Sequence, residues 1–165
     1  MYWALSANAG NVKALFLNPL FLSTASALCI AQVLKSVIFI LSGRRGKAKD
    51  LIIKTMWSTG GMPSSHSAIV AALTTSVAFI FYQDGIDANL FVFSFWFMLV
   101  VIRDALGVRR AAGLQARAIN NLGRQIAEKM DINFSPVKEI QGHTPLEVLV
   151  GALLGIFIAA GIALL

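Results

Sequence analysis

Four stretches of this 165-residue chain are too long and too apolar to be buried inside a soluble domain of that size. They run from about Asn18 to Leu41, from Ser64 to Tyr82, from Ala88 to Ile102 with a flank through Asp104 and Leu106, and from Thr144 to Leu165. Crossing the hydrocarbon of a bilayer takes roughly 20 mostly apolar residues, and about 17 suffice. The second and fourth stretches meet this outright. The third does so by using its polar flank, and the first carries Gln32 and Lys35 as polar interruptions. A segment in hydrocarbon must satisfy its own backbone, which leaves the α-helix as its form. The expected fold is therefore all-α: one domain over residues 1–165, a polytopic bundle of about four spanning helices with one further helix at the interface.

Charge supports this reading. Only 13% of residues are charged, whereas soluble domains carry about a quarter. The net charge of +6 does not indicate nucleic acid, because the cations lie between apolar runs and no recognition module is present. Most fall in two long loops: Arg44, Arg45, Lys47, Lys49 and Lys54 in one, and Arg103, Arg109, Arg110, Arg117, Arg124, Lys129 and Lys138 in the other. The turn between the second and third stretches holds only Asp84 and Asp87. Basic loops stay on the cytoplasmic side, so both long loops are expected to face the cytoplasm (or the stroma or matrix), with the termini opposite. That fits a multi-pass protein of a bacterial plasma membrane or an organellar membrane.

A cleaved signal peptide over the first stretch is disfavoured, because Asn18-Pro19 interrupts the apolar region and the run continues beyond Ala27. The single cysteine, Cys29, excludes an internal disulfide and a Cys-rich zinc site; it reads as a small buried hydrophobe. From Arg103 to Met130, the residues Val108, Ala112, Ile119, Leu122, Ile126 and Met130 recur at helical spacing, which predicts a helix that leaves the membrane and lies along its surface. Gly107, Gly113 and Gly123 weaken its continuity.

Two segments carry chemistry. In Gly60-Gly61-Met62-Pro63-Ser64-Ser65-His66-Ser67, the glycines permit a tight turn and Ser64 or Ser65 can cap the helix that follows. The free N–H groups and dipole of a helix start suit an anion, and two hydroxyls and an imidazole placed there suit phosphate. The plainer alternative is a capped helix start with His66 at headgroup level. In Gly142-His143-Thr144-Pro145-Leu146-Glu147, Thr144 and Glu147 have the spacing of a capping box, with Pro145 at the first helical position. Glu147 is also four residues from His143, so it can accept the proton of one ring nitrogen and leave the other as a nucleophile. Both histidines of the chain thus begin spans from loops expected on the same side. Two histidines fall short of the three or four ligands of a zinc site, so no metal and no other cofactor is expected. Lys35, inside a span, is either functional or snorkelling, and Arg109 and Arg110 contact either phosphate or lipid headgroups. Gly151 and Gly155 read as a close helix-packing motif.

The segments GGMPSSHSA at Gly60–Ala68, DALGVRRAAGLQA at Asp104–Ala116 and GHTPLEVLVGALLG at Gly142–Gly155 resemble the divergent PAP2 family. These are small membrane proteins related to type 2 phosphatidic acid phosphatases and vanadium haloperoxidases. The resemblance runs from about Lys35 onward. It implies a PAP2-like, metal-independent phosphatase in which one histidine forms a phosphohistidine and a second protonates the leaving oxygen. Matched residue by residue, His143 takes the nucleophile's place, Glu147 that of its orienting carboxylate, and His66 that of the acid, with Ser65 where the superfamily has glycine. Lys35, Ser64, Ser65, Arg109, Arg110 and Lys138 are the candidate phosphate-binding residues. The sequence also departs from the superfamily in its basic residues: Lys35 is followed nine residues later by Arg44 and Arg45 without a proline, and Val137 stands where an arginine is expected. The implied partner is a phosphorylated membrane lipid. The other expectation is a non-catalytic membrane protein that binds anionic lipid or a protein partner through its basic face.

Overall fold

The computed structural model describes residues 15–42, 61–84, 88–139 and 142–165. Among them the chain forms α1 (Pro19–Leu41), α2 (Ser65–Asp84), α3 (Ala88–Leu106), α4 (Val108–Met130) and α5 (Pro145–Ala163). The fold is all-α, and four helices are long and apolar enough to cross a membrane: α1, α2, the α3 segment and α5. The basic loop from Arg44 to Lys54 and the turn at Asp87 lie outside the described residues.

Helix starts follow their capping residues. Asn18 accepts the Leu20 N–H at 2.8 Å and Pro19 opens α1, so the pair that interrupts the apolar run is the helix start itself. Ser64 accepts the Ser67 N–H at 3.4 Å at the head of α2. Thr144 and Glu147 form the reciprocal capping box of α5.

Packing inverts the pattern of a soluble protein. The centre is small: Ala27 and Ala31 of α1, Ala68 and Ala72 of α2 and Ala159 of α5, flanked by Leu154 and Ile158. The bulky side chains, such as Phe93, Trp96, Val100 and Phe157, point outward. Lipid tails are as apolar as leucine, so spanning helices gain by close backbone approach rather than by hiding large hydrophobes. Gly151 and Gly155 show this directly. A Cβ at Gly151 would collide with the Ser64 carbonyl, and one at Gly155 with the Ala68 carbonyl. Those contacts set α2 and α5 side by side and parallel. Ser23 of α1 meets Ser76 of α2 through a buried 2.6 Å hydroxyl pair, and Lys35 meets the start of α2, so α1 runs antiparallel to them. The Thr74 hydroxyl donates to the Ser94 carbonyl at 3.1 Å and ties α3 to α2.

Two expectations need correction. Cys29 is exposed rather than buried: it lies on the outer surface of α1, where lipid instead of protein surrounds it. The helix read from Arg103 to Met130 is two helices, because Gly107 (φ −101°, ψ −84°) breaks it; Arg103 to Leu106 complete α3. Gly113 and Gly123 lie within a continuous α4. Gly123 is occupied in its own way, since the Phe134 ring lies where a Cβ would be.

α4 leaves the bundle, and the chain folds back along it. Asp131, in the left-handed region (φ 53°), ends the helix. Asn120, 2% exposed, then clamps the returning segment. Its Nδ2 donates to the Val137 carbonyl at 2.8 Å and to Glu139 Oε1 at 3.0 Å, and its Oδ1 accepts the Val137 N–H at 2.9 Å. Arg117 joins Glu139 at 3.4 Å. These donors hold the Glu139 carboxyl below the usual carboxylate range, the Asn120 bond first among the causes. The segment so pinned leads to His143.

Candidate phosphate-handling site

The heads of α2 and α5 meet at one end of the bundle. The Ser64 N–H donates to the Glu147 carbonyl at 3.0 Å, so the two helix starts are bonded to each other. The first intrahelical bond of α2 joins the Ala68 N–H to the Ser64 carbonyl, which leaves the Ser65 and His66 amides without an intrahelical acceptor. His66, the second residue of the helix, is exposed. His143 precedes α5 and is 7% exposed.

One oxygen of Glu147 makes both contacts that its position allows. Its Oε2 accepts the Thr144 N–H at 3.1 Å, completing the capping box, and faces His143 Nδ1 at 3.0 Å. A carboxylate only accepts, so the proton of this contact sits on Nδ1 and the Nε2 lone pair is left available.

Lys35 comes up from α1 into the same end. Only 6% exposed, it points into the bundle, with its stem against Gly61, and interacts electrostatically with Glu147. Gly61 has φ +89°, a conformation that favours glycine, and a Cβ there would stand 3.1 Å from Lys35 Cε. The Met62–Pro63 peptide is cis. His66 interacts electrostatically with Arg109, His143, Lys35 and Asp104. Residues from α1, α2, the α3–α4 junction and α5 thus converge on one end of the bundle. Contact between backbones supports this, because Gly142 lies directly on the Arg110 backbone.

Other candidates sit differently. Ser64 is fully buried and its hydroxyl receives the Ser67 O–H at 2.9 Å, so it serves the helix cap. Ser65 is buried. Arg110 has an exposed side chain at the root of α4. Lys138 is exposed beside the Asn120 clamp, and no interaction joins it to the histidines among the described residues. Arg44 and Arg45 lie outside those residues. No cluster of three or more His, Cys, Asp or Glu able to hold a metal occurs among the described residues. Sequence reasoning missed Asp104, which holds Arg109 Nε at 2.6 Å, and Asn120. Asp104 gave a signal, an acid just before a glycine and two arginines; Asn120 gave none.

The divergent PAP2 family profile matches residues 16–158, most of the chain. The chain belongs to the divergent PAP2 family. A protein of Bacillus subtilis (strain 168), described as the uncharacterized membrane protein YuiD, is 40% identical over 153 residues, covering 86% of this chain and 92% of that protein. No solved structure matches. The three segments quoted above lie within the matched residues. Of these, Gly61–Ala68 and Gly142–Gly155 build the paired helix heads, and Asp104–Ala116 the adjoining junction.

Proposed function

We propose that this divergent PAP2 protein is a metal-independent phosphatase acting on a phosphorylated lipid from the cytoplasmic leaflet. The observation that carries this is the His143–Glu147 contact at 3.0 Å, in a site where His66, Lys35 and Arg109 interact electrostatically. His143 Nε2 attacks phosphorus as the bond to the lipid oxygen breaks, and His66 delivers a proton to that oxygen. Water then attacks the phosphohistidine, His66 takes its proton, and phosphate leaves with His143 restored. Lys35 and Arg109 hold the non-bridging oxygens and stabilise their charge. The basic loops favour the cytoplasmic side, where phosphatidylglycerophosphate or phosphatidic acid offers a suitable phosphomonoester.

Purified protein in mixed micelles should release phosphate from such a lipid with EDTA present, and His143→Ala should abolish release. Release that persists in the variant removes His143 as the nucleophile.

A second reading, binding of anionic lipid without catalysis, is favoured by α4. Its Val108, Ile119, Leu122, Ile126 and Met130 are exposed, and the helix carries Arg109, Arg110, Arg117, Arg124 and Lys129 against one acid, Glu128. That is the pattern of an interfacial helix on an anionic leaflet. Function that survives loss of both histidines but fails in Arg109→Ala with Arg110→Ala would select it.

A further inference from the structure

Asp104 closes α3 and Arg109 opens α4, five residues later. On an unbroken α-helix two such residues point about 140° apart and cannot pair. The Gly107 break changes this. Its backbone turns while the hydrogen bonds on either side survive, Gly107 N–H to the Arg103 carbonyl at 2.8 Å and Ala111 N–H to the Gly107 carbonyl at 2.9 Å. Across that bend Arg109 Nε reaches Asp104 Oδ2 at 2.6 Å.

Both side chains are 40–45% exposed, so the pair adds little to stability. Its effect is directional. A guanidinium presents five N–H donors in a planar fork, and the carboxylate occupies the Nε edge. The terminal nitrogens retain the donors that suit two oxygens of a phosphate. The root of α4 that carries this fork lies on the His143 loop, through the contact of Gly142 with the Arg110 backbone.

We propose that Asp104 is a positioning residue, which through Arg109 Nε aims the guanidinium at a phosphate held between His66 and His143. This rests on the phosphate site proposed above. It makes a prediction opposite in sign to that of charge alone. Asp104 also interacts electrostatically with His66, so its carboxylate is a negative charge close to where a phosphate dianion would bind. If it acted by charge alone, neutralising it would tighten anion binding. If it orders Arg109, neutralising it weakens binding, by about 3- to 10-fold, the effect of leaving one long side chain to be ordered by the ligand.

Equilibrium dialysis of radiolabelled inorganic phosphate against the full chain in detergent reads this without turnover. Asp104→Asn should weaken binding by that factor and Arg109→Ala by at least as much. The double variant should be no weaker than Arg109→Ala, because Asp104 acts through that side chain. Asp104→Glu, which keeps the carboxylate, should recover part of the loss. Unchanged or tighter binding in Asp104→Asn, or losses that add in the double variant, overturns the proposal. A wild-type chain that binds no phosphate overturns it together with the phosphate site. Expected binding behaviour without phosphate release from lipid removes only the catalytic reading.

Discussion

Replacing Glu147 with Gln changes its charge with almost no change in shape, and the geometry says which of its two bonds is affected more. Oε2 accepts from Thr144 N–H at 3.1 Å and faces His143 Nδ1 at 3.0 Å. An amide oxygen can still accept the backbone N–H, so the cap survives, with about 0.3–1 kcal/mol lost from the charge at the helix start. The histidine bond changes more, because positive charge develops on the ring as Nε2 attacks. A hydrogen bond to a charged group contributes about 1.5–3 kcal/mol against about 1 for a neutral one. The difference of about 0.5–2 kcal/mol corresponds to a rate lower by about 2- to 30-fold. Glu147→Ala loses the capping box as well, and so about 1 kcal/mol of stability. Initial rates of phosphate release from a lipid phosphomonoester in mixed micelles, paired with thermal melts in the same detergent, separate the two effects. Wild-type turnover by Glu147→Gln, with His143→Ala inactive, would refute the orienting role and leave Glu147 as a cap alone.

Gly155→Ala should destabilise by about 1–3 kcal/mol or more, because its Cβ meets the Ala68 carbonyl, whereas Gly161→Ala, with open space around it, should be neutral or gain up to about 1 kcal/mol; detergent melts compare them. Asn120→Ala should cost about 1–3 kcal/mol locally and expose the Val137 amide to hydrogen exchange. Since Glu139 is held below its ordinary range, its share of this clamp is present above that range and lost as pH falls through the folded value, so Val137 protection should drop in acid. Spin labels at Ile119, Leu122 and Ile126 in a Cys29→Ala background should be open to oxygen, and labels at Asn121 and Arg124 to a water-soluble nickel reagent, if α4 lies on the leaflet. Equal access to the nickel reagent at all five positions would place α4 in water.

Much of the bundle was legible because hydrocarbon demands length and apolarity in one continuous run. Thr144-Pro145-Leu146-Glu147 marked the start of α5, since caps are local in sequence, whereas Asn18-Pro19 was read only as an interruption and proved to be the start of α1. The break at Gly107 was not legible: three glycines share the α3–α4 region, and only their neighbours in space distinguish them. Phe134 occupies the space beside Gly123, while Gly107 turns the chain between a span and the arm beyond it. Cys29 misled because burial was judged by residue type, whereas its position decides: it lies off the buried ridge of α1. Ser23, Ala27, Ala31 and Lys35 are the buried residues of α1 and fall four apart, so this ridge of small residues shows which way Lys35 points. For the candidate site, His66 and His143 were visible as helix-start residues, but the Asp104–Arg109 pair depends on an angle between helices that no spacing records.

Lys35 has a consequence for how the protein is made. It sits about 9 Å from the end of α1, which is synthesised before α5, the helix that carries Glu147. Until α5 arrives the membrane holds this lysine without its carboxylate, a position that charged side chains occupy only at a cost. A chain that stops short of α5 therefore holds Lys35 without the electrostatic interaction that Glu147 adds in the folded bundle.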